Sequence, residues 1–374
     1  MKLLYLANAR IPTEKAHGLQ IFQMCEAFAE NGCDVALVGP KRVNSITQNP
    51  WQYYDVQKNF SYSAVPCLDL IFLDANSLFF LIQTITFLFS TKIISLFKKY
   101  DVVYTREQLV GLFFQGHILE MHSIPKRVVA VHRFLWRRAK KIVVLTSYIK
   151  SSLVKEGVQQ DKIIVSPDGV NLAKFDISLS KKEAREGLKL PQDAVLVGYV
   201  GMLRTLGMEK GIETVLRALQ ALRDDSIRFV VVGGHMDDVE FYRHRAEALG
   251  IAEAVIFVGR VSHSLIPAYL KAFDVLVAPF PKNEHYMYYM SPMKIFEYMA
   301  SGRPIIASRL PSIEEVIGRG EAMLVTPDDV VELAEGLKKI LYNEDVSVTL
   351  AEKALFSVQK YTWIERAKNI LAEI

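Results

Sequence analysis

The chain has 374 residues, about half of them apolar, and a formal charge of +4. That length suggests two domains, and that apolar share can fill two cores, which excludes a disordered or low-complexity protein. The three cysteines, Cys25, Cys33 and Cys67, form no C-x-x-C pair, which excludes a patterned disulfide framework and fits a reducing compartment.

The opening MKLLYLANAR has an apolar run too short for a secretory leader and no small-residue cleavage site, so it reads as a first strand over 2–8 of a cytoplasmic protein. A loop follows and ends in Gly18 at a helix start, where Leu19, Phe22, Met24, Ala27 and Phe28 have helical spacing. Glycine at that point lets a ligand or an opposing backbone come close. DVALVGP (34–40) is the next strand. Residues 77–97 are almost wholly apolar and near the length of a membrane span, with Lys98 and Lys99 behind them. Gln83, Thr84, Thr86, Ser90 and Lys92 interrupt the run, and a span would cut a domain in two. A core helix and a helix lying in a membrane interface both fit. DVVYTR (101–106), HILEMH (117–122) and KIVVLT (141–146) are further strands, and they place His122 at a strand's carboxyl end. Taken alone, such a histidine is more often structural than functional.

After the Pro-Asp-Gly turn of SPDGVNLAKFD (166–176) the same grammar restarts. Strands are expected at 194–201, 228–234, 255–259, 275–280, 304–308 and 322–327, with helices between them. Strands without clean alternation point to sheets buried on both faces, hence parallel sheets. Two doubly wound α/β domains follow, whose ligands sit at the carboxyl ends of strands. Residues 1–170 carry 20 Lys and Arg against 13 Asp and Glu, whereas 171–374 carry 25 against 28. A basic front half suits an anionic partner such as a membrane surface, nucleic acid or phosphorylated substrate.

Two segments carry chemistry. GYVGMLRTLGMEKGIETVLRAL (198–219) runs from strand through a glycine-rich loop into a helix starting near Gly211, with Arg204 and Lys210 in the loop. Cations and a helix start both favour phosphate, although the P-loop spacing fails because Gly211 follows Lys210. In YYMSPMKIFEYMASGRP (288–304), Ser291 reads as an N-cap, Pro292 as a first-turn proline and Gly302 as the stop. Lys294 opposes the helix dipole in the first turn, so a nearby anion would make sense of it. On spacing alone, Lys294 and Glu297 equally read as an i,i+3 surface pair. Metal-site, hydrolase and nucleic-acid signatures do not occur, so neither a metal nor a nucleic-acid partner is expected.

In this order, the Gly18 loop, LEMHSIP (119–125), 140–175, 199–212, 255–280 and 291–308 resemble the retaining glycosyltransferases of family 4. The resemblance implies the GT-B fold: two Rossmann-like domains, 1–172 for the acceptor and 173–358 for a nucleotide sugar, facing each other across a cleft. Residues 359–374 would be a helix crossing back to the first domain. It further implies that Arg204 and Lys210 neutralise the donor diphosphate, with Met202 where the family usually has arginine. Glu297 would bind the ribose, Gly259 and Arg260 would lie by the base, and Met290, Ser291, Pro292 and Lys294 would meet sugar and phosphate. Gly18 would approach the phosphates, and His122 would lie near the reacting sugar. Glu297 matches the second Glu of the family's E-x7-E motif, while the first would fall at Tyr289. The donor would be UDP- or GDP-linked and used without a metal or other cofactor. The acceptor would be a glycan or lipid-linked molecule, at a membrane surface in cell-surface polysaccharide or glycolipid synthesis. A non-catalytic nucleotide-sugar-binding relative and a GT-B epimerase are the competing readings.

Overall fold

A computed structural model describes residues 1–71, 77–205 and 207–374. The chain forms two units, Met1–Asp168 with Trp363–Ile374, and Gly169–Thr362.

The first unit is built on strands β1 (Lys2–Leu6), β2 (Asp34–Pro40), β3 (Ser61–Val65), β4 (Val102–Thr105), β5 (Ile118–Met121), β6 (Lys141–Val144) and β7 (Ile163–Val165). They pair in parallel in the order β3-β2-β1-β4-β5-β6-β7. The chain moves one way along the sheet from β1 to β3 and the other way from β3 to β7. Right-handed crossovers therefore put Ala16–Glu30 on one face and Ser77–Ser95, Gln108–Leu112 and Ala130–Arg138 on the other. The final helix Trp363–Ala372 packs against Ala16–Glu30. Strands β3 and β7 were not expected from the sequence. SYSAV is a mostly exposed edge strand with little apolar signal, and IIV is a three-residue edge strand.

In the second unit, β8 (Val195–Val200), β11 (Ile227–Val232), β12 (Val255–Gly259), β13 (Val275–Ala278), β14 (Ile305–Ser308) and β15 (Met323–Val325) make a parallel sheet ordered β12-β11-β8-β13-β14-β15. A two-stranded hairpin, β9 (Arg204–Thr205) with β10 (Met208–Glu209), stands between β8 and the helix Ile212–Leu222. Both sheet faces are covered: Leu196 and Val200 of β8 join one buried cluster, Val197 and Tyr199 the other. Full burial of such side chains contributes roughly 1.5–3 kcal/mol each. Strand order reverses between β8 and β13, so the loops leaving these two strands diverge and open a crevice at their carboxyl ends.

Candidate functional site

In the second unit that crevice is lined by the loop after β8 and by the helix Met293–Ala300, which follows β13. The helix begins one residue later than the sequence suggests. Pro292 occupies the N-cap position with extended backbone (φ −77°, ψ 115°), Ser291 is buried ahead of it, and the cap side chain makes no hydrogen bond. Pro292 itself has extended rather than helical ψ, so the first helical residue is Met293 and Ser291 falls one place ahead of the cap. Met290 is buried with Ser291, and Tyr289 closes the preceding short helix Glu284–Tyr288 through its N–H to the His285 carbonyl at 3.0 Å.

Lys294 is not a surface residue paired with Glu297. Its Nζ is buried, has no hydrogen-bond partner among the described residues and lies 3.7 Å from the centroid of the Tyr199 ring. Room for it comes from Gly201, just past β8. Gly201 has φ +133°, and a Cβ there would stand 2.9 Å from the ammonium nitrogen. Lys210 reaches the same place from the end of the hairpin: both ammonium groups sit 5.4 Å from the Phe280 ring centroid, and Lys210 is 4.8 Å from that of Tyr286. Burial holds Lys294 well below the usual lysine range, and the Lys210 charge adds to that. Burial also pushes Lys210 down to about 8. Ring contacts return about 0.5–2 kcal/mol, less than the several kcal/mol that burying each charge costs. Two cations thus share an aromatic floor at a helix N-terminus with no carboxylate in ion-pair distance among the described residues. This arrangement favours a polyanion.

Glu297 turns the other way, and its Oε1 lies 3.1 Å from Nε2 of His263, which follows β12. His263 joins Glu297 to the stretch carrying Gly259 and Arg260, where Gly259 has φ +78° and open space beside it. The sequence reading missed His263; its only signal was its place three residues after Arg260. Arg204 does not join the lysine pair. Its guanidinium lies 3.8 Å from Asp238 and 4.2 Å from the Phe241 ring centroid, so the helix Met236–Ala248 already answers its charge.

In the first unit, Gly18 has a neighbour of its own. A Cβ there would fall 2.2 Å from the Tyr54 hydroxyl and 2.6 Å from the Thr13 methyl. Internal packing therefore accounts for this glycine without a ligand. His122 leaves the end of β5 with both ring nitrogens engaged: Nε2 lies 2.6 Å from Glu120 Oε1, and Nδ1 lies 2.9 Å from the Arg106 guanidinium. An arginine can only donate and a carboxylate only accept, so the ring is the neutral tautomer protonated at Nε2. Burial and the Arg106 charge agree, pushing His122 down to about 4.

Glu120 is the hub. It is buried, and its Oε1 also accepts from Gln20 at 2.7 Å and from Arg366 at 3.2 Å, while its Oε2 accepts from the Tyr104 hydroxyl. Burial raises its pKa, but Arg366, His122 and Arg106 outweigh that and hold it well below the carboxylate range. Arg366 comes from the last helix and also donates to the carbonyls of Ser166 and Pro167. None of Glu120, Arg106, Gln20 or Arg366 was singled out in the sequence, because their partners lie up to 342 positions apart.

Sheet order, the two doubly wound units and the crevice at the β8/β13 reversal define a GT-B protein. Over its full length the structure resembles Anabaena HepE in complex with UDP and glucose, with a TM-score of 0.76 at 16% identity, covering 100% of this chain and 98% of that one. More particularly, residues 194–343, within the second unit, match the glycosyl transferases group 1 family. The chain is 29% identical over 232 residues to a D-inositol 3-phosphate glycosyltransferase of Corynebacterium urealyticum, covering 58% of this chain and 52% of the relative. It is 30% identical over 231 residues to the 2-deoxystreptamine glucosyltransferase of Streptomyces kanamyceticus, covering 60% and 57%. The chain thus spans about half the length of the curated relatives it matches.

Proposed function

We propose that the protein is a retaining glycosyltransferase of the family 4 type, moving a sugar from a UDP- or GDP-linked donor to a glycan or lipid-linked acceptor. The observation that carries this reading is the Lys210–Lys294 pair, one buried and one half-buried ammonium around one aromatic ring, with no carboxylate in ion-pair distance among the described residues. As the glycosyl–phosphate bond breaks, negative charge collects on the departing diphosphate. Fixed cations in a dry site stabilise that charge, each such group contributing about 3–4 kcal/mol. The leaving phosphate oxygen takes the acceptor's proton on the same face of the sugar, and no protein nucleophile is assigned. Lysine supplies the charge a divalent ion would otherwise bring, so turnover should survive EDTA. Glu297, steadied by His263, accepts from the ribose hydroxyls. His122 carries no mobile proton in its neutral, doubly engaged form and is read as a positioning group for Arg106. Work would take place in the cytoplasm, at the inner face of the membrane where lipid-linked acceptors are presented, in polysaccharide or glycolipid synthesis.

The test is donor hydrolysis without acceptor, across UDP- and GDP-sugars, starting with UDP-glucose and with EDTA present. Slow release of free sugar and nucleoside diphosphate is expected. Tight binding with no turnover of any donor would leave a nucleotide-sugar-binding protein and end the transferase reading.

Binding should also be pH-dependent. Lys210 titrates near 8 in the free protein, and a diphosphate binds its protonated form. Affinity for UDP or GDP should therefore fall as pH rises through about 8, and binding at pH 8 should take up protons. Calorimetry in buffers of different ionisation enthalpy measures that uptake; a buffer-independent heat would contradict the lysine assignment. For Glu297→Ala, affinity for UDP should drop roughly tenfold towards that for 2′-deoxy-UDP, whereas the parent protein discriminates between them. Equal discrimination in both proteins would move the ribose elsewhere.

A further inference from the structure

The helix Ser77–Ser95 is amphipathic the wrong way round for a surface helix of a soluble unit. Its buried stripe is Gln83, Thr84, Phe87, Leu88 and Thr91, three of the five polar. Thr84 Oγ1 accepts from Asn8 Nδ2 at 2.8 Å, and Phe87 and Leu88 close the cluster around Leu4, Leu6, Val38 and Phe114. The opposite stripe, at the same helical spacing, is Leu78, Leu81, Ile85, Phe89 and Ile93, all exposed, and Leu96 and Phe97 continue it with 73% and 85% of their surface accessible. A surface helix ordinarily presents polar residues there. The helix has 19 residues and could cross a bilayer by length, but a span would strip its Gln and Thr stripe from the sheet it packs on.

The neighbouring elements extend the same face. Lys92 stands over the Phe114 ring at 4.7 Å, just past Gln108–Leu112, whose Leu112 is exposed. Arg138 Nε donates to the Gly111 carbonyl at 2.6 Å, fixing Ala130–Arg138 alongside, with Val131 and Phe134 exposed. These three segments lie in one layer on one face of the sheet. Residues 77–100 and 121–140 hold nine Lys and Arg and no Asp or Glu. Lys98, Lys99, Lys126, Arg127 and Arg137 are exposed among them.

We infer that this face, the outer stripe of Ser77–Ser95 continued by Leu96, Phe97, Leu112 and Phe134 and ringed by lysine and arginine, docks the first unit onto an anionic phospholipid surface. Apolar side chains enter the headgroup–acyl boundary and the cations meet lipid phosphates. A second copy of the chain fits the face poorly, because two such basic rings would oppose each other. The inference rests on the first unit alone and stands whether or not the donor site does what is proposed for it.

Co-sedimentation of the full chain with vesicles tests it. Phosphatidylglycerol-containing vesicles should retain the protein at low salt and release it at high salt, and phosphatidylcholine vesicles should retain it weakly. Phe89→Ser with Phe97→Ser, and separately Lys98→Glu with Lys99→Glu, should each weaken binding roughly tenfold or more. All four positions are exposed or half-exposed, and an unchanged thermal midpoint checks the fold. Phe97→Trp should show a blue-shifted emission on anionic vesicles. No retention at low salt, retention untouched by both double variants, or an unshifted Phe97→Trp emission overturns the inference. So does a dimer in sedimentation velocity that the phenylalanine variant dissolves, since a second copy would then cover the face.

Discussion

Lys294→Met should make the ligand-free protein more stable while weakening its affinity for nucleoside diphosphates by one to two orders of magnitude. The two effects have one cause. Methionine keeps the length and apolar stem of lysine, so it fills the space over Tyr199 beside Gly201 without a new cavity. It removes a buried nitrogen with no hydrogen-bond partner among the described residues, a group that costs about 1–3 kcal/mol where it stands. The thermal midpoint of the free protein should therefore rise by a few degrees, roughly what such a gain produces in a chain of this size. The same nitrogen would form a charge-assisted hydrogen bond to a diphosphate oxygen, worth about 1.5–3 kcal/mol, so affinity for UDP and GDP should fall about 10- to 100-fold. Lys210→Met should weaken binding to a similar degree and also relieve Lys294, whose ammonium is disfavoured partly by the Lys210 charge. The double variant should then lose more than the sum of the two single losses, since Lys294 serves the ligand better once the Lys210 charge no longer disfavours its ammonium. Thermal melts with and without UDP and GDP, followed by calorimetry, read all of these. A lower midpoint for free Lys294→Met together with unchanged affinity would mean that this lysine is a packing residue and that the anion site lies elsewhere.

The two sheets were legible in the sequence because buried parallel strands leave runs such as LLYL and FVVV that nothing else in the chain mimics. Edge strands β3 and β7 were not, since half-exposed or three-residue strands carry little of that signal. At the site, chain-local features were readable: Lys294 and Glu297 on one helix, Lys210 before another. What each residue faces was not. The i,i+3 spacing of Lys294 and Glu297 is compatible with a surface pair, and only the placement of Tyr199, Phe280 and His263 shows one side chain turned into an aromatic floor and the other towards β12. Arg204 illustrates the converse. A loop arginine near a phosphate-type turn invites a binding role, yet Asp238 and Phe241, more than thirty positions on, hold it. The first unit's polar network was hidden for the same reason, since its hub Glu120 looks like any apolar-strand interruption until Gln20, Arg106 and Arg366 converge on it.

That network yields the largest stability effect expected in the molecule. Arg366→Met leaves Glu120 buried with its principal cation gone, and breaking a buried ion pair from one side costs about 3–5 kcal/mol. The loss should be pH-dependent, with a sign set by two carboxylates. Glu120 is held low in the folded chain, so its contribution is present above the ordinary glutamate pKa and fades as pH falls. Asp168 behaves oppositely. Burial pushes it up to about 6 against the pull of Arg366, so the folded state binds its proton more tightly than the unfolded chain does. Stability from that group therefore falls as pH rises from about 4 to 6. In the parent protein the two slopes oppose each other, and Asp168→Asn should leave stability rising with pH across that window. Without Arg366 both carboxylates move up, so Arg366→Met should be destabilised most near neutrality and least in mild acid. Adding Glu120→Gln should recover a good part of the loss, because the orphaned charge is then gone. Trp51, Trp136 and Trp363, the three tryptophans of the chain, all belong to the first unit, so urea titrations followed by tryptophan emission report on it alone. An Arg366→Met deficit that is equal at every pH, and untouched by Glu120→Gln, would show that Arg366 acts by filling space against Ala16–Glu30 and that its charge is incidental.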